Sequence, residues 1–273
     1  MTSPDSPWSG WANAEIYDRF VRDGRIYREL NRRLVELAEV GAARRVLDLA
    51  CGTGATARAC LARLPPDGEL VGVDGSAEMV AVARERTPDP RARFEVAAAA
   101  ELAAAAPGPF DRAVCNAAFW QFPSPAAVLR ALAAVLAEGA LLVFNLPASR
   151  MGGEAFEAHP FQVALSRALG GAPSRERIEP GALAALLRET GFETVRRDRF
   201  VYRGRQLEMM DLMAIPAMLR RTAPDLTEAE RGAALAEARR RTDPAQPVAV
   251  PWLYYVVRRV RHAPFAAPAA DAR

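Results

Sequence analysis

Two periodicities alternate along the chain. Ile26, Leu30, Leu34 and Leu37 recur at helical spacing and Gly41 follows as a stop, which predicts a helix ending near Val40. Ile16, Tyr17 and Phe20 predict a shorter helical piece before it. Then the pattern turns to short apolar runs bounded by turn residues, and 44–50, 70–74, 92–97, 111–116 and 140–145 read as strands. Helical stretches at 53–64, 77–86 and 125–138 lie between them. Ser76 and Ser124 stand where a helix needs a side-chain cap, Pro125 fits a first helical turn, and Gly139 reads as a stop. Strand–helix alternation of this kind predicts an α/β fold, a doubly wound and mostly parallel sheet with right-handed crossovers.

After residue 146 the alternation breaks. One helical pattern falls near 155–169, Pro180 to Thr190 forms another with Gly191 as its stop, and Phe192 to Tyr202 reads as a sixth strand. Helices are predicted over 205–221 and 227–241, the second opened by Thr227 and Glu230 in capping-box spacing. Val248 to Val260 is a last strand with Pro251 near its start. The chain thus divides into N-terminal helices that act as a lid (1–41), a cofactor-binding core (42–146) and a lid insertion (147–178). A core helix with strand six (179–204), a helical lid insertion (205–247), the last core strand (248–261) and a tail (262–273) follow. Residues 1–10 and the tail read as disordered or loose.

Composition narrows the class. Of 273 residues 51% are hydrophobic and 25% charged, which fits a packed domain rather than a disordered chain. All 36 cationic residues are Arg, set against 33 acids and scattered among them, with no basic run longer than Arg239-Arg240-Arg241. A nucleic-acid surface needs a denser patch, so no nucleic-acid partner is expected. No signal peptide or membrane span is visible, which makes the cytoplasm the default and argues against a membrane partner. Cys51, Cys60 and Cys115 lack metal-ligand spacing and read as buried thiols.

The chemistry concentrates after the first strand. Gly52-Thr53-Gly54-Ala55-Thr56-Ala57 fits the G-x-G-x-x-G/A loop, and Asp74 ends the second strand 20 residues past Gly54. That spacing satisfies a dinucleotide fingerprint, in which the helix start binds a pyrophosphate. Asp48 would point a carboxylate into the same crevice and repel a pyrophosphate there. A cofactor with a cationic end, such as S-adenosylmethionine (SAM) with its ammonium and sulfonium, suits Asp48 better. An NAD-dependent oxidoreductase and a non-catalytic SAM-binding module remain the alternatives.

Val46 to Gly54, Val71 to Asp74, Phe110 to Asn116, and Ser124 to Asn145 together resemble the class I, Rossmann-like SAM-dependent methyltransferases, in particular their small-molecule branch. The resemblance implies a seven-stranded sheet whose last strand runs antiparallel between strands five and six. It implies that Asp48 lies near the methionine ammonium, that Asp74 with Gly75 takes the ribose hydroxyls, and that Ala50, Gly52 and Gly54 bring the backbone close to the cofactor. Met79 and the backbone at Ala99 would meet the adenine, with Ala98 standing where the family has an Asp and Glu101 as the other candidate. Asn116 would sit beside the transferring methyl, and Tyr17, with Tyr27, would close over the cofactor from the N-terminal helices.

The acceptor is less constrained. Asn116-Ala117-Ala118-Phe119 departs from the Asn/Asp-Pro-Pro-aromatic signature of amino-group methylation, which favours O- or C-methylation of a small organic molecule, in a role such as secondary metabolism. Trp120 and Phe122 are candidates for lining the acceptor site. His159, in the insertion after strand five, is the candidate general base. No carboxylate cluster follows strands four or five, so no metal is expected. The inserts, with Arg150, Glu154, Met209, Met210, Met213 and Met218, should roof the acceptor site.

Overall fold

The structure, a computed structural model, describes residues 7–171 and 177–260. The predicted tail, the first six residues and His262 lie outside the described residues.

The chain opens with helices α1 (Trp11–Asp23) and α2 (Ile26–Leu37). The α/β core follows as β1 (Arg45–Leu49), α3 (Ala55–Leu61), β2 (Glu69–Asp74), α4 (Ala77–Arg86), β3 (Ala92–Val96) and the short α5 (Leu102–Ala105). It continues through β4 (Phe110–Cys115), α6 (Pro125–Val135) and β5 (Leu136–Pro147). Helices α7 (Pro160–Ala168) and α8 (Pro180–Glu189) lead to β6 (Phe192–Arg205). Three further helices, α9 (Gln206–Met213), α10 (Pro216–Thr222) and α11 (Glu228–Arg240), precede β7 (Pro247–Arg259).

The seven strands form one sheet in the order β3-β2-β1-β4-β5-β7-β6, parallel except that β7 runs antiparallel between β5 and β6. The order reverses between β1 and β4, and the crevice outside the carboxyl ends of strands at such a switch point is where open α/β sheets bind ligands. Strand side chains alternate between two cores. Val46, Leu70, Val114 and Val143 face α2, α3 and the later helical inserts, whereas Leu47, Leu49, Val71, Cys115 and Phe144 face α5, α6 and α8.

Several boundaries differ from expectation. Helix α6 ends at Val135, not Glu138, because β5 already begins at Leu136, paired with Phe110. Gly139, with φ of 81°, lies inside that strand at a register shift, so it marks a bulge rather than a helix stop. The single helix expected over 205–221 is two, since Pro216 cannot continue α9 and instead starts α10. Pro251 is tolerated in β7 because β5 ends its pairing at Trp252, leaving a neighbour on one side only.

Candidate active site

A cavity of about 440 Å3 opens at the carboxyl ends of β1, β2 and β4. Tyr17, Tyr27, Ala50, Gly52, Asp74, Gly75, Met79, Ala99 and Asn116 line it, as the sequence led us to expect of a cofactor site. Its size falls within the ~300–1,000 Å3 of small-molecule sites.

The ribose position is the most fully built. Asp74 Oδ2 accepts from the Gly52 N–H at 2.9 Å, and Oδ1 accepts from the Ser76 N–H at 2.9 Å. One carboxylate therefore ties the glycine loop to the start of α4. Burial pushes its pKa up, against the lowering effect of the Ser76, Gly52 and Gly75 N–H groups. Ser76 caps α4 as anticipated, its hydroxyl accepting from the Met79 N–H at 3.2 Å. Met79 and the Ala97-Ala98-Ala99 segment line the same cavity as Asp74 with largely apolar surface. Glu101, the other adenine candidate, does not line the cavity.

The glycine loop requires its glycines for two reasons. Gly52 has φ of 52°, and a Cβ there would stand 3.1 Å from Tyr17 Cε1, so the Tyr17 ring already covers that face. Gly54 has φ of 82° but turns away from the cavity; a Cβ there would meet the Thr87 hydroxyl at 2.9 Å and Ala83 at 3.3 Å. Its role is close packing of α3 on α4 rather than contact with a ligand.

Asp48 stands behind the cavity wall and does not line it. β1 runs on through Leu49, and by the alternation of the strand Asp48 faces α2 and α3 with Val46. It is fully buried, and neither oxygen has a hydrogen-bond partner. Burial first, then the nearby Asp74, pushes its pKa well up. Its field still reaches the cavity wall, since Asp48 and Asp74 are among the charges that raise the Tyr17 phenol after burial and Tyr27.

Two alanines carry the backbone strain at this edge. Ala50 (φ 56°) follows β1 and Ala117 (φ 54°) follows β4, both in the left-handed region that costs an L-residue ~1–2 kcal/mol, and both line the cavity. Ala117 is held there by Asn145, a fully buried residue of β5. Asn145 Oδ1 accepts from the Ala117 N–H at 2.6 Å, and its Nδ2 donates to Asn116 Oδ1 at 2.8 Å. Asn145→Ala is expected to lower stability by ~2 kcal/mol, because it strands a buried N–H. That corresponds to ~4–8 °C in a thermal melt. Stability within about 0.5 kcal/mol of wild type would deny Asn145 this role.

The roof comes from the N-terminus rather than from the inserts. Trp8 packs edge-on against Tyr17, and its indole N–H donates to Gln121 Oε1 at 2.9 Å. Gln121 Nε2 in turn donates to the Ala117 carbonyl at 2.9 Å. Of the insert residues expected to roof the acceptor, Met209 and Met210 are buried in the core and Glu154 is paired with Arg197. Among the described residues, the single insert residue on the cavity wall is Arg221 of α10. Phe122 does line the cavity, while Trp120 packs on Trp252 with ring centroids 5.7 Å apart.

His159 is displaced from the chemistry as well. It caps α7, its Nδ1 lies 3.0 Å from Gln206 Oε1, and it does not line the cavity. Burial lowers its pKa, against the raising effect of the Gln206 contact. Pro160 at the first turn of α7 fixes the ring in that capping position, a signal the His-Pro dipeptide carries in the sequence. Trp8, Gln121 and Arg221 are site residues that sequence reasoning missed. Among the described residues no three His, Cys, Asp or Glu gather to hold a metal ion, and no helix is long and apolar enough to cross a membrane.

Comparison with known proteins agrees with this geometry. Residues 46–139 match the family described as a methyltransferase domain. The trans-aconitate 2-methyltransferase of Variovorax paradoxus is 39% identical over 108 residues, 40% of this chain and 40% of its own length. The ubiquinone biosynthesis O-methyltransferase of Xanthomonas euvesicatoria is 31% identical over 153 residues, 55% of this chain and 62% of its own. The chain therefore matches less than two thirds of the length of these curated relatives. The YcgJ protein of Bacillus subtilis superimposes with a TM-score of 0.54 at 19% identity, covering 86% of this chain and 100% of that one, which establishes the shared fold. Residues 46–139 thus match a methyltransferase domain, carried on a sheet of the shared fold.

Proposed function

We propose that the protein transfers the methyl group of SAM to a small organic molecule, with O- or C-methylation favoured and a role in secondary metabolism the setting. The observation that carries the reading is Asp74 on the cavity wall, tied by its two oxygens to Gly52 and Ser76 and open to a ribose in the cavity that Met79 also lines. SAM supplies an activated methyl group when bound. Asp74 and Gly75 hold its ribose, Met79 and the Ala97–Ala99 backbone its adenine, and Ala50 and Gly52 the amino acid end. Tyr17 and Trp8 close over these groups and exclude water, and the acceptor lies against Asn116, Ala117 and Phe122.

Placement is the main contribution asked of such a site, since orientation alone supplies ~7–11 kcal/mol of a displacement barrier. No residue lining the cavity is suited to remove a proton. Asp74 is committed to two N–H groups, and burial raises the Tyr17 and Tyr27 phenols further above neutrality. The acceptor accordingly brings a nucleophile that needs no base, and turnover needs no metal ion.

Calorimetry with S-adenosylhomocysteine (SAH) and NADH tests the first half of the reading. SAH should bind and NADH should not; NADH binding without SAH binding would replace it with an oxidoreductase. Labelled methyl transfer from SAM into a metabolite extract tests the second half and identifies the product. SAH binding without any turnover would instead favour a non-catalytic SAM-binding module.

A further inference from the structure

The cavity holds two charged side chains, Asp74 and Arg221, and only one of them is satisfied. Asp74 accepts from two backbone N–H groups. Arg221 is half-buried and makes no hydrogen bond or ion pair with any described residue. Many of the surface arginines of this chain are paired with acids, such as Arg33 with Asp198 at 2.8 Å and Arg91 with Asp89 at 2.7 Å. A guanidinium removed from water without a partner is costly, and is retained where a counter-charge arrives with a ligand. Burial lowers the Arg221 pKa, as expected of a guanidinium held partly out of water.

Arg221 lies on α10, whereas Asp74 ends β2 at the ribose position. Arg221 belongs instead to the rim built by the lid. The α10 backbone is tied to α1 by the Ala217 N–H, which donates to Asn13 Oδ1 at 2.9 Å. Asn13 Nδ2 donates to the Pro7 and Ser9 carbonyls, fixing the segment that carries Trp8. Trp8 reaches Gln121, and Gln121 reaches Ala117, where the acceptor meets the methyl group.

We infer that Arg221 anchors a carboxylate on the methyl acceptor, so that this site takes a small organic acid whose apolar body lies against Trp8, Tyr27 and Phe122. The inference rests on the methyltransferase reading. A planar guanidinium fork matches a carboxylate with two parallel N–H donors, which a neutral acceptor cannot use.

The test uses the full chain, SAH, and a metabolite extract of the source organism split by anion exchange into an anionic pool and a neutral-plus-cationic pool. Labelled methyl from SAM should enter products of the anionic pool. Arg221→Gln should raise the KM for that acceptor about tenfold or more, while SAH affinity stays within about twofold. Arg221→Lys, which keeps the charge and loses the fork, should fall between. Wild-type SAH affinity in each variant shows that the fold is intact. Label confined to the other pool, or an Arg221→Gln variant with unchanged KM, overturns the proposal. A loss of SAH affinity in Arg221→Gln also overturns it, because Arg221 would then pair with the cofactor's own carboxylate. Label in neither pool, with SAH bound, removes the methyltransferase reading and this inference with it.

Discussion

Asp74→Ala is expected to weaken SAH binding by about a hundredfold or more, and to lower the melting temperature of the ligand-free protein at the same time. A hydrogen bond to a charged group contributes ~1.5–3 kcal/mol, and the two ribose hydroxyls offer two, so the binding loss is ~3 kcal/mol or more. At ~1.4 kcal/mol per decade this is about two decades. The stability loss has a separate origin. The Gly52 N–H and the Ser76 N–H both lose their acceptor at 2.9 Å, one in the glycine loop and one at the start of α4. Asp74→Asn separates the two effects. Its amide oxygen can still accept from one of the N–H groups, so stability should recover in part while the ribose contact remains impaired. Titration calorimetry with SAH and thermal melts of the three proteins measure both quantities. SAH affinity in Asp74→Ala within about twofold of wild type would remove Asp74 from the ribose site.

The cofactor half of this site was legible in the sequence because it is local. The register that puts Asp74 at the end of β2, the Ser76 cap and the turn at Gly52 all lie within one strand–loop–helix–strand stretch, where period and turn chemistry determine geometry. The lid's place in the N-terminal helices, with Tyr17 and Tyr27, was legible too, but the contacts that hold it were not, for the opposite reason. Trp8 and Gln121 are 113 residues apart, and Ala217 and Asn13 are 204 apart, and no local pattern announces either pair. His159 shows how proximity in sequence misleads: it follows β5 closely, yet Pro160 commits it to the start of α7 and Gln206 holds it there. The side that Asp48 faces was legible in the strand's own period, since Val46 two residues earlier faces the same way.

Asp48→Asn is expected to stabilise the ligand-free protein at neutral and alkaline pH and to weaken SAH binding. Asp48 is fully buried with no hydrogen-bond partner for either oxygen, and burial, with Asp74 nearby, raises its pKa well above the ordinary carboxylate value. A carboxyl group whose pKa is raised by folding favours the folded state while it is protonated. That stability is present below the unfolded pKa, is lost as pH climbs from there to the raised folded pKa, and stays lost above it. Asparagine has nearly the shape of the protonated acid and does not titrate. The melting temperatures of the two ligand-free proteins should therefore be close near pH ~4, the unfolded value, and diverge in favour of the variant as pH rises. Each pKa unit between the folded and unfolded values is worth ~1.4 kcal/mol, which at ~2–4 °C per kcal/mol means ~3–5 °C at the plateau. The cofactor reverses the preference. The Ala57 N–H and Arg58 only partly offset the raised Asp48 pKa. The ammonium of SAM or SAH adds positive charge nearby, so binding should draw Asp48 into its ionised form and release a proton. Calorimetry of SAH binding in two buffers of different ionisation enthalpy counts that proton in the wild type, and Asp48→Asn should abolish it. An Asp48→Asn protein that melts below wild type at pH 8, or that releases the same proton on binding SAH, would show that Asp48 is not the buried charge the cofactor satisfies.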